Sequence, residues 1–226
     1  MLSALLAAGA AVNYAMTGGS TSLHAACRKG HAEVVSALLA AGVAVDKMRE
    51  TWTALHDACH NGYLACAKLL FSYLASRSGN GGAHAVADRV GHHDVSTWLM
   101  LSHEWSSPLH HLEIISAGRA RDLLRAGADI GAAAREGGPT PLSLAHALGE
   151  AGKAVSGSAA ELVLRASEPW SPETHYLFPP TAQSRAVELL RLGVLLSSQP
   201  RFRGAEGALV DVWIEGVIPS AVDRLT

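Results

Sequence analysis

The sequence predicts an all-α fold built from stacked helix–turn–helix units, and three observations carry that expectation. The first is an internal repeat. Residues 19–46 (GSTSLHAACRKGHAEVVSALLAAGVAVD) and 51–71 (TWTALHDACHNGYLACAKLLF) match at a constant offset of 32: Thr21 with Thr53, Leu23 with Leu55, His24 with His56, and Ala26, Cys27 and Gly30 with Ala58, Cys59 and Gly62. Going backwards, LLAAGVAVD at 38–46 repeats LLAAGAAVN at 5–13 at an offset of 33. The second is the stripe of Val34, Val35, Leu38 and Leu39, whose spacing places them on one helix face. The third is the placement of glycines. Gly30 and Gly62 follow the first helix of each unit, and Gly42 and Gly127 follow the second, where a left-handed residue stops the helix. One such unit cannot bury its own apolar face, but neighbours on both sides can.

Taken in order, residues 2–8 have the character of the second helix of a first, truncated unit. The expectation is that this end frays. Thr21 and Thr53 are candidate caps for the first helices of the two full units, accepting from orphan backbone N–H groups. Leu23 with Ala26, and Leu55 with Ala58, lie on the buried face of those helices. The Gly-rich stretch 76–84 (SRSGNGGAH) replaces the opening of a third unit, whose middle survives as Ala87, Gly91, His92, Asp94 and Val95. A fourth unit opens at Ser107-Pro108-Leu109-His110 and closes at LLRAGAD (123–129). A fifth opens at Thr140-Pro141-Leu142 and keeps Ala145.

This pattern resembles the ankyrin repeat, with its T-P-L-H-x-A opening, central Gly-His and closing L-L-x-x-G-A-x-x-N/D. The family's Pro, suited to a first helical turn, stands at Pro108 and Pro141 and is replaced by Ser22 and Ala54. The resemblance covers residues 1 to about 166 and implies an ankyrin-repeat solenoid of about five repeats, the first truncated and the third and fifth degenerate. By the same resemblance, His24, His56 and His110 occupy the slot where His bonds within the turn, and His31 and His92 the Gly-His slot.

From residue 167 the character changes, and residues 167–226 are expected to form a Pro/aromatic connector and a helical C-terminal cap. PWSPETHYLFPP (169–180) reads as an extended connection anchored by aromatics, because Pro removes donors and blocks helix. SRAVELLRLGVLLS (184–197) reads as a helix capped by Ser184, and ALVDVWIEGVI (208–218) as another short one. Trp170, Phe178 and Trp213 are candidates to seal the end of the stack. The spacing of Ala208, Leu209, Trp213 and Val217 is similar to the first element of a SOCS box, the ubiquitin-ligase docking element that closes some ankyrin proteins. Trp213 stands where that element has Cys, and no Pro-rich second element follows.

Composition narrows the function. A net charge of −2 lacks the dense basic face that phosphate neutralisation needs, so nucleic acid is not an expected partner. With 49% hydrophobic and 17% charged residues the chain is not of disordered composition. No run approaches the ~18 apolar residues of a membrane span, and the N-terminus lacks the basic segment of a signal peptide. Three cysteines, an odd and sparse set, fit a reducing compartment, cytoplasmic or nuclear. A zinc site would need four converging ligands; Cys59 and Cys66 with His56 or His60 is the nearest set, and equivalence of Cys27 with Cys59 reads instead as packing. His92-His93-Asp94 and His110-His111 read as surface residues. Gly149, Gly152 and Lys153 lack the spacing of a phosphate loop. Asn13 resembles the family's hydroxylated Asn position. No nucleophile–base pair and no paired carboxylates stand out, so no enzyme, metal or cofactor is expected.

What remains is a monomeric, non-catalytic scaffold or adaptor for another protein, with a ubiquitin-ligase substrate receptor as the alternative. By the resemblance, loop tips and the concave face of the first helices meet the partner. The matching positions are Thr17, Gly18, Ser20, Arg28 and Lys29, then Arg49, Glu50, Trp52, His60 and Asn61, then His103, Glu104 and Ser106. Trp52 leads that set, because Trp and Arg dominate interface hot spots.

Overall fold

A computed structural model describes residues 8–73, 75, 82–102, 105, 107–134, 137–200 and 203–222. The backbone forms two compact units, Met1–Ile114 and Ile115–Thr226. Among the described residues every regular element is helical, apart from the isolated bridges Ala15–Thr21 and Arg49–Trp52.

The N-terminal unit holds α1 (Ser22–Lys29), α2 (Ala32–Ala40), α3 (Ala54–His60), α4 (Leu64–Ser72), α5 (Ala83–Arg89) and α6 (His93–Leu101), then a 3-10 turn at Pro108–His111. The first helices α1, α3 and α5 pack side by side in one layer, and the second helices α2 and α4 in another. The residues expected at the helix seams are there: Leu23, Ala26, Cys27, Val35, Leu38 and Leu39 are buried, as are Leu55, Ala58 and Cys59. Small Ala and Cys side chains on the first helices allow the close approach that a stack of thin units requires. Burial pushes the Cys59 thiol up to about 12 and raises Cys27 further, so neither offers a thiolate.

Gly30 and Gly62 end α1 and the turn after α3 at φ 73° and 75°. A second constraint acts on both. A Cβ on Gly30 would stand 2.6 Å from the Tyr63 ring, and one on Gly62 would stand 2.6 Å from the His92 ring. Tyr63 and His92 fill equivalent slots one repeat further on. The glycines therefore serve the turn and the repeat-to-repeat seam together.

The expected helix at residues 2–8 and the Gly-rich stretch lie largely outside the described residues. The fourth repeat departs from expectation: its opening forms only the four-residue 3-10 turn, capped by Ser107 Oγ accepting from the Leu109 N–H at 3.1 Å. His110 and His111 are buried, not surface residues. His111 packs against two indoles that also touch each other, 5.9 Å from Trp98 and 5.1 Å from Trp105, ring centre to ring centre.

The C-terminal unit holds α7 (Ala117–Arg125), α8 (Pro141–Glu150), α9 (Ala159–Ser167), a 3-10 turn at His175–Leu177, α10 (Pro180–Ser197), α11 (Glu206–Val212), a π-helical turn at Trp213–Val217 and α12 (Ile218–Ala221). Thr140 caps α8 with Ser143 as its reciprocal partner, the Ser143 N–H donating to Thr140 Oγ1 at 3.0 Å and the Thr140 N–H to Ser143 Oγ at 2.9 Å. Gly149 falls within α8. Two expectations need correction. Ser184 is no cap, because α10 already starts at Pro180, whose fixed φ suits a first helical turn. Nor is the 169–180 connection fully extended: reciprocal hydrogen bonds between Ser171 and Thr174 close a turn, and the 3-10 turn follows. Trp170, Phe178, Ala182, Ala186, Ile218 and Val222 form one buried cluster. Trp213 packs so tightly on Gly193 of α10 that a Cβ there would stand 2.7 Å from the indole.

Candidate partner-binding surface

The surface is built on two capping boxes. In the first, the Thr21 N–H and hydroxyl both reach His24 Nδ1, at 3.3 and 2.8 Å. In the second, Thr53 does the same to His56 Nδ1, at 3.2 and 2.9 Å. Because Nδ1 accepts a backbone N–H, the proton of each neutral ring sits on Nε2. His24 Nε2 then donates to the Trp52 carbonyl at 3.3 Å, joining α1 to the loop that precedes α3. His56 Nε2 is buried and has no partner among the described residues. Burial lowers the pKa of both histidines, since charging them would need solvation that the packed seam does not supply.

The loop held by His24 is a tight hairpin. Arg49 and Trp52 exchange both backbone hydrogen bonds, at 2.8 and 2.9 Å. Glu50 sits at the turn with φ 56°, among the described residues the one non-glycine with positive φ. The corresponding position one repeat earlier is Gly18, with φ 87°. The preceding stretch is tied across repeats by Asn13, whose Oδ1 accepts from the Ala44 N–H at 2.7 Å and whose carbonyl accepts from Lys47 Nζ at 3.0 Å. Asn13 thus works as a strut between successive loops.

The anchor beneath the hairpin is Asp57, which sequence reasoning missed. Arg49 Nη2 donates to Asp57 Oδ1 at 3.1 Å, with the Asp57 side chain 3% exposed and that of Arg49 31%. Burial pushes the Asp57 carboxyl up, and the facing Arg49 guanidinium pulls it back down. Asp57 Oδ2 and Arg49 Nε are buried without a partner among the described residues. A signal existed: the equivalent slot in the preceding repeat is Ala25, so a charge at Asp57, eight residues from Arg49, stood out in an alanine position.

The other expected positions fall as follows. Trp52 is half-buried, its ring 5.4 Å from the His60 ring and 6.0 Å from that of His56. Arg28, Lys29, Glu50 and His60 are exposed, and Asn61 is half-buried, its amide donating to the Asp57 carbonyl at 2.8 Å. Thr17 and Gly18 are exposed and Ser20 half-buried. His103, Glu104 and Ser106 lie outside the described residues. The hairpin therefore brings Arg49, Trp52, His60 and Asn61 together with Asp57, while Arg28 and Lys29 stand at the end of the adjoining α1.

Elsewhere, Leu209, Trp213 and Val217 are half-buried and Ala208 is exposed, on the α11 segment that packs against α10. Among the described residues no three His, Cys, Asp or Glu converge as metal ligands, and no helix is long and apolar enough to cross a membrane. No curated protein matches the chain. Residues 1–79 match the family model of ankyrin repeats in three copies, the same stretch in which the capping boxes and left-handed glycines recur at one-repeat spacing. Ankyrin repeats are in general protein–protein interaction modules, and residues 1–79 of this chain are similar to them.

Proposed function

We propose that the chain is a non-catalytic scaffold or adaptor, and that it grips a protein partner with the hairpin and first-helix ends of its N-terminal unit. The observation that carries this reading is the hairpin itself. Its backbone is closed by two hydrogen bonds, clamped from below by Asp57 and held from the side by His24, so Trp52 is presented with little freedom left to lose. Preorganised aromatic anchors beside Arg are the usual source of interface energy, because binding then costs less ordering entropy. Arg28, Lys29 and His60 supply exposed donors nearby, and Glu50 an acceptor at the turn. On this reading Trp52 and Arg28 meet the partner, whereas Arg49 chiefly holds the hairpin through Asp57.

Affinity purification with mass spectrometry would identify the partner, and titration would then measure it. Trp52→Ala is expected to weaken binding by about 2 kcal/mol or more, with Arg28→Ala, at an exposed residue that makes no hydrogen bond or ion pair among the described residues, as the variant that leaves folding intact. Affinity unchanged by both substitutions would overturn the assignment of this surface.

A further inference from the structure

Trp52 is seated on titratable groups. Its ring packs against those of His56 and His60, and its carbonyl accepts from His24 Nε2 at 3.3 Å. The next residue, Thr53, donates its N–H to His56 Nδ1 at 3.2 Å. His24 and His56 are both buried. A second proton on either ring has to enter at Nδ1, the atom that now accepts from the Thr21 or Thr53 N–H. The threonine hydroxyl can turn and accept from the new N–H, but the threonine amide only donates and loses its acceptor. At His56 the positive charge would also rest on a buried Nε2–H that meets no acceptor among the described residues.

The charged neighbours do not rescue that state. Asp57 faces both rings, but its Oδ1 already accepts from Arg49. Arg49 and Arg28 oppose a charge on His24, and His60 faces Asp57. Lys29 at the end of α1 and Glu50 at the hairpin turn are exposed. The helices packed on α1 and α3 bring Glu33 on α2, Lys68 on α4, and His84, Asp88 and Arg89 on α5. All of these are exposed except Lys68, which lies over the Trp98 ring. We propose that mild acid unseats Trp52: proton uptake by His24 and His56 opens the two capping boxes, the hairpin carrying Trp52 and Arg49 loosens, and the surface lets go of its partner while α2 and α4 stay folded. This regulation rests on the partner-binding reading above. The loosening itself is measured on the chain alone, so it can fail while that reading stands.

The test follows amide exchange of the full chain by NMR, each rate divided by that of an unstructured chain at the same pH. The Trp52 N–H, held by the Arg49 carbonyl at 2.9 Å, should lose protection at least about tenfold between about pH 7.5 and about pH 5.5. Amides in the middle of α2 and α4 should keep theirs. His56→Gln with His24→Gln is the informative variant, because glutamine closes the same capping box with threonine and does not titrate. In that variant the protection of Trp52 should no longer depend on pH. Should the variant not fold, the wild type decides alone: the midpoint of the Trp52 change must coincide with titration of the His24 and His56 ring nitrogens. Protection of Trp52 that survives to about pH 5.5, or a loss shared equally by α2 and α4, would overturn the proposal. So would a loss that persists in the double variant, which would assign it to Asp57, or a midpoint apart from both histidines.

Discussion

Residues 13–92 and residues 128–222 are held by different means. In the first stretch each joint spans about one repeat: Asn13 to Ala44, His24 to Trp52, Gly30 against Tyr63, Gly62 against His92. In the second, Trp170, Phe178 and Ile218 converge from three segments that share no period, and Trp213 closes on Gly193. A periodic joint is a small term written several times, so a defect in one copy is local. An aromatic cluster is one large term with no second copy.

That contrast fixes the order of expected effects. Phe178→Ala, which empties the largest fully buried side chain, should cost about 3–5 kcal/mol, with amide protection lost across α10 and α12 together. A cost under about 1 kcal/mol would show that the cluster is not what holds the unit. In the N-terminal unit, Gly30→Ala should cost about 1–3 kcal/mol, because the methyl group meets the Tyr63 ring at a left-handed residue. Adding Tyr63→Ala should recover part of that cost. Strictly additive losses in this cycle would mean that the seam is not the cause.

The two histidines make the N-terminal unit acid-sensitive. Their folded pKa values lie below the ordinary one of about 6.5, so the unfolded chain takes up protons first as pH falls. Their contribution is complete above about 6.5 and is lost as pH drops from there towards the folded values. Asp57, raised by burial, works in the opposite direction at lower pH, because the folded state then binds its proton earlier. Melting temperature should therefore fall between neutral pH and about pH 5.5, and His24→Gln with His56→Gln should flatten that slope. A slope that persists in the double variant would assign it elsewhere.

The smallest effect is at the hairpin turn. Glu50 holds φ 56° where the preceding repeat has Gly18. Glu50→Gly should stabilise by about 0.5–1 kcal/mol, the relief of left-handed strain exceeding the added entropy of the unfolded chain. Destabilisation in urea unfolding would mean that the Glu50 side chain contributes contacts worth more than the strain.

Much of the N-terminal unit was legible in the residues. Thr21 and Thr53 cap, Gly30 and Gly62 turn left-handed, and Leu23, Leu55, Cys27 and Cys59 are buried. Each of these follows from local rules that the repeat writes twice. The candidate surface was legible only in part. Trp52 and Arg49 stood out by type and place, but their engagement with His60 and Asp57 depends on how one loop folds over the next helix.

By itself, then, the sequence determined the helical units, their caps and stops, and which residues face the seams. Those depend on neighbours a few positions away and on a period that repeats. Tertiary structure alone decided that Arg49 would be spent on a buried Asp57, that His110 and His111 would sink among indoles, and that Trp170 and Phe178 would meet Ile218 in one buried cluster. The reason is physical: such contacts join segments with no common period, and their energies come from three-dimensional burial, which no local pattern of residues encodes.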